Sequence, residues 1–167
     1  MPAVIAIVGH SGAGKTTLIE RLLPKLIARK IRVATIKHTH HALALDIAGK
    51  DSWRHRQAGA EASLLVTPSS MSLVLDGIGS HEPEQLAQHY FPDMDLVLVE
   101  GFSRAACQKI EVLRSACSAV ARCSINDGLI ALVTDVASTD MPIPHFVLDD
   151  INGIAQFIAD SLLSSKP

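Results

Sequence analysis

Ala3 to Val8 is an unbroken aliphatic run closed by Gly9, the pattern of a strand buried on both faces of a parallel sheet. Between Lys15 and Arg29, Leu18, Leu22 and Leu26, with Ile19 and Leu23, recur at helical spacing and predict a helix, with Pro24 a candidate kink. Ile31 to Ile36 reads as a second buried strand, so strand, glycine-rich turn, helix and strand form one βαβ unit. Beyond it the pattern is less regular. Asp51 to Ala58 is polar enough for an exposed helix, Ala62 to Val66 and Ser72 to Leu75 read as short strands, and Pro83 to His89 as a helix. Asp95 to Val99 is a strongly buried strand ended by Glu100 and Gly101. Lys109 to Leu113 alternates with period two and predicts an edge or hairpin strand. Leu129 to Val133 is another buried run, followed by His145 to Leu148. Ile151, Ile154, Phe157, Ile158 and Leu162 place one apolar stripe on a terminal helix that Asp149 or Asp150 would cap. Without repeats, low-complexity segments or a linker, the expectation is a single three-layer α/β domain over residues 1–167 with a mostly parallel sheet.

Composition narrows the function classes. The 167 residues carry 17 acidic and 15 basic side chains, a net charge of −2. This is neither a polybasic nucleic-acid arm nor an acidic tail, and nucleic acid is not an expected partner. Hydrophobic residues make up 48%, enough for a core at this length, yet eight histidines outnumber the four Phe, one Trp and one Tyr. The N-terminal apolar run lacks a preceding basic region, and no window reaches the roughly 18 apolar residues of a bilayer span, so a soluble, cytoplasmic protein without a membrane partner is expected. Cys107, Cys117 and Cys123 form no CxxC motif and read as free thiols.

Chemistry enters with Gly9-His10-Ser11-Gly12-Ala13-Gly14-Lys15-Thr16, which fits GxxxxGK[ST] between a predicted strand and a predicted helix. Glycines 9, 12 and 14 let the backbone of Ser11 and Ala13 turn its N–H groups onto a phosphate chain at the positive end of the helix dipole. Lys15 would reach the outer phosphates, Thr16 would ligate Mg²⁺, and Thr17 would donate to the inner phosphate. The fold class is therefore a P-loop NTPase-type domain. Glu100, at the end of a neighbouring buried strand, is the candidate carboxylate for Mg²⁺.

After the second strand come Lys37-His38-Thr39-His40-His41, then Asp46 and Gly49-Lys50-Asp51-Ser52-Trp53-Arg54-His55-Arg56. In a βαβ nucleotide fold this segment leaves the sheet at the ligand-binding edge. Lys37, Lys50, Arg54 and Arg56 would meet an anion, and Asp51 a metal-bound water. His38, His40 and His41 leave a metal, an anion or a pterin open as their ligand.

The segments GHSGAGKTT, KHTHH, GKDSWRHRQAGA, VEGF and KIEVLR, in this order, resemble the molybdopterin-guanine dinucleotide biosynthesis adapter proteins of the MobB type, within the phosphate-loop GTPases. The resemblance runs from Ala3 to about Asp135. It implies GTP binding with Mg²⁺, slow hydrolysis at most, homodimers, and assistance to the guanylyltransferase and other enzymes of the molybdenum cofactor, with molybdopterin as a further ligand. It assigns functional positions to Gly12 to Thr17, Lys37, His38, Asp51 and Glu100, with Lys15, Asp51 and Glu100 as the catalytic set. The departures are Ser103 and Gln108, where relatives carry a lysine and a proline, and the stretch from Cys117 to Cys123.

Thr134 and Asp135 close the next buried strand, where a base-recognition loop belongs, and an Asp there would accept from the ring N–H and exocyclic amine of guanine. The alternative for Asp135 is a turn cap. A small-molecule kinase using the same loop is the competing function, with Asp51 or His38 taking the acceptor proton.

Overall fold

The computed structural model describes residues 1–39, 46–75, 82–137 and 140–164. Its elements are β1 (Ala3–Val8), α1 (Lys15–Ala28), β2 (Val33–Lys37), α2 (Asp51–Gln57), β3 (Ala62–Val66), β4 (Met71–Leu75), α3 (Pro83–Tyr90), β5 (Leu96–Glu100), β6 (Gln108–Leu113), a single 3₁₀ turn (Ile125–Asp127), β7 (Leu129–Thr134), β8 (His145–Phe146) and α4 (Ile151–Ser164). Contacts group the chain into two compact units, one of Met1–His38 with Glu82–Pro167, the other of Thr39–His81. His40 and His41 lie outside the described residues.

The larger unit is built on a six-stranded sheet in the order β2-β5-β1-β6-β7-β8, with every pairing parallel. Alternate side chains of the central strands serve opposite faces, and both faces are covered, which is why these strands are continuous apolar runs. Ile5 and Ile7 of β1, Leu96 and Leu98 of β5, and Ile110 and Val112 of β6 pack with Leu18, Leu22 and Leu26 of α1 and Ile154 and Ile158 of α4. Ala6, Val8, Val97 and Val99 face the other way, into a core shared with Ala87 of α3, Cys107 and Cys123. Truncating any of these large aliphatic side chains to Ala costs about 2–5 kcal/mol.

α1 runs through Pro24 and ends in a Schellman turn. Lys30, at φ 63, donates to Ile27 O at 2.8 Å, and Ile31 N donates to Leu26 O at 3.2 Å. At the start of α4, Asp150 Oδ1 accepts from Gly153 N at 3.0 Å, so Asp150 is the capping carboxylate of the adjacent pair.

Two strand expectations are corrected. β6 is a central strand between β1 and β7, not an edge or hairpin strand. Its alternation of charged and apolar residues imitates a half-exposed strand, but Lys109 and Glu111 are both 0% exposed. The Lys109 ammonium donates to Ala105 O (2.5 Å), Cys107 O (3.1 Å) and Asp127 O, while Glu111 accepts from Arg122 N (2.7 Å) and Cys123 N (3.0 Å). Buried charges persist when such bonds replace water. β2, read as buried, is the half-exposed edge strand of this sheet.

In the smaller unit β3 and β4 form an antiparallel hairpin, Ala62 opposite Leu75 and Val66 opposite Met71. Thr67 N donates to Ser70 O at 2.8 Å and Ser70 N to Thr67 Oγ1 at 3.0 Å, closing its turn. Leu64, Leu65, Val66, Met71 and Leu73 are exposed. Asp46 Oδ1 accepts from Ile47 N and Ser52 Oγ, both at 2.9 Å, and Asp46 Oδ2 lies 3.8 Å from Arg56. Among the described residues no helix is long and apolar enough to cross a membrane.

Candidate functional site

The loop from Gly9 to Gly14 leaves β1 at the carboxyl edge of the sheet and delivers the chain into α1. Gly9, Gly12 and Gly14 have φ of 137, 77 and 100, where side chains are strained. A Cβ on Gly9 would also stand 2.4 Å from Val112 O of the neighbouring strand. Ala13 is buried in the core and donates its N–H to His10 O at 3.2 Å, whereas Ser11, Gly12, Thr16 and Thr17 are exposed. Lys15 Nζ curls over the loop and donates to Gly9 O at 3.1 Å and His10 O at 2.8 Å. A glycine-bent backbone with an ammonium held above it has the chemistry to hold an anion.

The sheet register assembles the rest of the edge. Glu100 lies beside Ile7 of β1 on one side and Lys37 of β2 on the other. Thr16 Oγ1 donates to Glu100 Oε1 at 2.9 Å, and Lys37 Nζ stands 3.3 Å from the same oxygen. A hydroxyl and a largely buried carboxylate side by side are hard oxygen donors suited to Mg²⁺, which takes few protein ligands and completes its shell with phosphate oxygens and water. Gly101, at φ 101, turns the chain away, and a Cβ there would press to 3.2 Å from His38 O. His38 N donates to Glu100 O at 2.9 Å, and its ring lies 4.2 Å, centroid to centroid, from that of Phe102. His38 thus packs against the strand end that carries Glu100.

Other predicted residues fall elsewhere. Asp51 belongs to the smaller unit, where it opens α2 and pairs with Arg54 at 3.8 Å in an exposed contact. Among the described residues no group of three or more His, Cys, Asp or Glu side chains is arranged around a metal. Thr134 Oγ1 accepts from Val136 N at 2.9 Å. Asp135 Oδ1 accepts from Ser115 N at 2.6 Å, and this backbone hydrogen bond holds its carboxyl below the usual carboxylate range. Asp135 therefore ties together the chain ends that leave β6 and β7, while Thr134 bonds within its own turn.

Beside the loop opens a cavity of about 140 Å³ whose lining includes Gly14, Thr17, Arg21, Arg114, Leu148 and Asp149. Arg21 Nη1 and Asp149 Oδ1 meet at 2.7 Å, joining α1 to the segment before α4. Sequence reasoning missed Arg21 and Arg114. The available signals were that Arg21 lies four residues, one helical turn, beyond Thr17, and that Arg114 directly follows a strand which proves to be central.

The family model described as molybdopterin guanine dinucleotide synthesis protein B matches residues 4–135. The chain is 32% identical over 167 residues to the molybdopterin-guanine dinucleotide biosynthesis adapter protein of Escherichia coli, covering 96% of this chain and 93% of that one. It is 44% identical over 108 residues to the protein of the same description from Haemophilus influenzae, an alignment spanning 64% of this chain and 61% of that protein's length. The crystal structure of a molybdopterin-guanine biosynthesis protein B superposes with a TM-score of 0.72 at 29% identity, covering 95% of this chain and 98% of that one. The crystal structure of Bacillus subtilis MobB, at 23% identity, gives 0.74 over 95% and 96% of the two chains, a likeness of fold.

Proposed function

The chain belongs to the molybdopterin guanine dinucleotide synthesis protein B family, and from that premise we propose that it is a GTP-binding adapter in the biosynthesis of molybdopterin guanine dinucleotide. The observation that carries this reading is the meeting of Thr16, Glu100 and Lys37 at the mouth of a glycine loop that already holds Lys15 over its backbone. In this reading the loop N–H groups and Lys15 bind the triphosphate, Thr16 and Glu100 hold Mg²⁺, and Lys37 balances charge at the outer phosphate. Bound Mg²⁺ supplies neutralisation of phosphate charge. Glu100, held by Thr16 and Lys37, serves the metal rather than taking a proton from water, and hydrolysis is slow for that reason.

The partners in this reading are the enzyme that joins a GMP moiety to molybdopterin and other molybdenum cofactor enzymes, with molybdopterin itself as a further ligand. A second copy of the chain is the remaining partner. A two-stranded hairpin is marginal alone, and this one exposes Leu64, Leu65, Val66, Met71 and Leu73 along strands whose outer edges invite pairing. The three free thiols suit the cytoplasm.

The test is equilibrium binding of GTP and ATP with and without Mg²⁺, on the chain and on Lys15→Ala, with product analysis. The expected result is Mg²⁺-dependent, GTP-selective binding that Lys15→Ala abolishes, together with GTP-dependent capture of the guanylyltransferase. Equal affinity for ATP, or transfer of the outer phosphate to a metabolite, overturns the adapter reading in favour of a small-molecule kinase.

A further inference from the structure

We propose that the cavity beside the phosphate loop receives the guanine ring and that Asp149 reads the ring's hydrogen-bonding edge, releasing Arg21 as it does so. The inference rests on the GTP reading above and adds to it a specificity residue. Four observations meet at this place.

The first is position. Gly14 and Thr17, which close the phosphate loop and open α1, also line the cavity, so a nucleotide whose phosphates follow the loop has its nucleoside delivered here. The second is shape and chemistry. Val133 and Leu148 offer apolar contact to a flat ring, and Gly14 has no Cβ to obstruct it, while Arg114 adds a planar cation that stacks on aromatic faces or donates to an acceptor such as guanine O6. Sites of this type are apolar with a few placed polar groups.

The third observation concerns the carboxylates. Guanine presents two adjacent donors, N1–H and the exocyclic amine, which an ionised carboxylate accepts together and which adenine does not offer. Asp135 follows β7 and Asp149 follows β8 at this end of the sheet. Asp135 spends Oδ1 on Ser115 N, a bond that fixes it to the backbone after β6. Asp149 lines the cavity, and its carboxylate accepts from Arg21 rather than from backbone N–H groups among the described residues.

The fourth observation is the quality of that bond. The side chains of Asp149 and Arg21 are 84% and 44% exposed, so their ion pair is a solvent-screened contact of the kind that contributes little to folding. A pair in the lining of the cavity that is easily broken can exchange partners. In the free protein Arg21 holds the carboxylate; in the complex the two guanine donors replace the guanidinium.

The experiment measures equilibrium binding of GTP, ATP and xanthosine triphosphate, with inorganic tripolyphosphate as a probe of the phosphate loop alone. It compares the unmodified chain with Asp149→Asn, Asp135→Asn and Arg21→Ala, each checked by thermal unfolding. An asparagine amide donates where xanthine carries an oxygen in place of the guanine amine, so Asp149→Asn is expected to lose about 100-fold in GTP affinity and to prefer the xanthine nucleotide, with tripolyphosphate binding unchanged. Arg21→Ala is expected to keep or gain GTP affinity, because a competitor has been removed. The inference is overturned if Asp149→Asn retains GTP selectivity, if it loses GTP without gaining the xanthine nucleotide, if the switch appears in Asp135→Asn instead, or if Arg21→Ala weakens GTP binding as much as Asp149→Asn. GTP selectivity in the unmodified chain together with any of these results removes only the role of Asp149. Absence of that selectivity in the unmodified chain removes the GTP reading and this inference together.

Discussion

Thr16 Oγ1 donates to Glu100 Oε1 at 2.9 Å, across 84 residues of sequence, because the loop after β1 and the end of β5 are carried on paired strands. In the proposed function the bond brings the two oxygens that would hold Mg²⁺ to one point. It also sets a direction: a hydroxyl that binds a metal through its lone pair must turn its proton elsewhere. Glu100→Gln keeps the shape of the β5 terminus but removes the negative charge. Its expected effect is about a 10–100-fold loss of Mg²⁺ affinity in the nucleotide complex, with little change in melting temperature. Titrating Mg²⁺ into the protein with a fluorescent GTP analogue reads this directly. An unchanged Mg²⁺ dependence places the metal ligands elsewhere.

Gly9→Ala tests whether the loop is specified by sterics. The φ of 137 and the 2.4 Å approach to Val112 O both forbid a Cβ, and the neighbour is backbone of a central strand that cannot yield. The variant is expected to lose about 1–3 kcal/mol of stability by chemical denaturation and to bind triphosphate poorly. Gly12→Ala, where nothing lies within 4 Å, should cost less. Equal effects of the two changes remove the steric account of Gly9.

Lys109 offers the sharpest test of the buried charges. Its ammonium satisfies three carbonyls, and Lys109→Met leaves those acceptors without a donor in a site closed to water. A loss of about 3–5 kcal/mol is expected by analogy with breaking one member of a buried charged network. Met matches the length of Lys, so the cavity term is small, and a near-neutral urea midpoint would show that the carbonyls find other donors.

Why some of this was legible in the sequence and some was not follows from how each signal is encoded. β1, Leu96 to Val99 of β5 and Leu129 to Val133 of β7 are apolar without interruption because both sheet faces are covered, so their burial is written in composition alone. The glycine loop is legible because its constraint, a backbone at positive φ that passes close to β6 at Gly9, admits mainly glycine. β6 misled because a buried lysine and glutamate look like exposed ones until the carbonyls and N–H groups that satisfy them are known, and those come from residues 105–127. β2 misled in the opposite sense, since an edge strand of a twisted sheet carries Val33 and Ile36 yet is half open to solvent. Arg21 and Asp149 lie 128 residues apart, and nothing local in either segment announces that pairing.

The cysteines separate by burial. Cys117 is exposed, whereas Cys107 and Cys123 are buried. Burial pushes both buried thiols up, Cys107 with a contribution from Glu84 and Cys123 with one from Glu111. Since the thiolate is the reactive species, iodoacetamide should modify Cys117 in the native protein and reach the other two only on unfolding. Intact mass followed by peptide mapping reads the order, and early labelling at Cys107 contradicts the closed core beneath β6.

Acid should loosen the molecule through two surface carboxylates. Asp127 accepts from Ser124 Oγ at 2.7 Å and Ser124 N at 2.8 Å, and these bonds hold its carboxyl below the usual range, as the Ser115 N–H does for Asp135. A carboxylate whose pKa is lower in the folded than in the unfolded chain binds fewer protons when folded. Its contribution to stability is therefore present above the unfolded value of about 3.9 and is lost as pH falls through the lower folded value. Both groups are exposed, so the effect is a slope rather than a collapse. Melting temperatures followed from about pH 5 down to about pH 3 should fall less steeply in the double variant Asp127→Asn, Asp135→Asn than in the unmodified chain. Asparagine retains one carbonyl oxygen to accept from Ser124 and Ser115, so the turns persist while the proton linkage is removed. Parallel slopes for the two proteins would mean that the acid sensitivity arises in other carboxylates, and that the Ser124 and Ser115 bonds persist equally well in the unfolded chain.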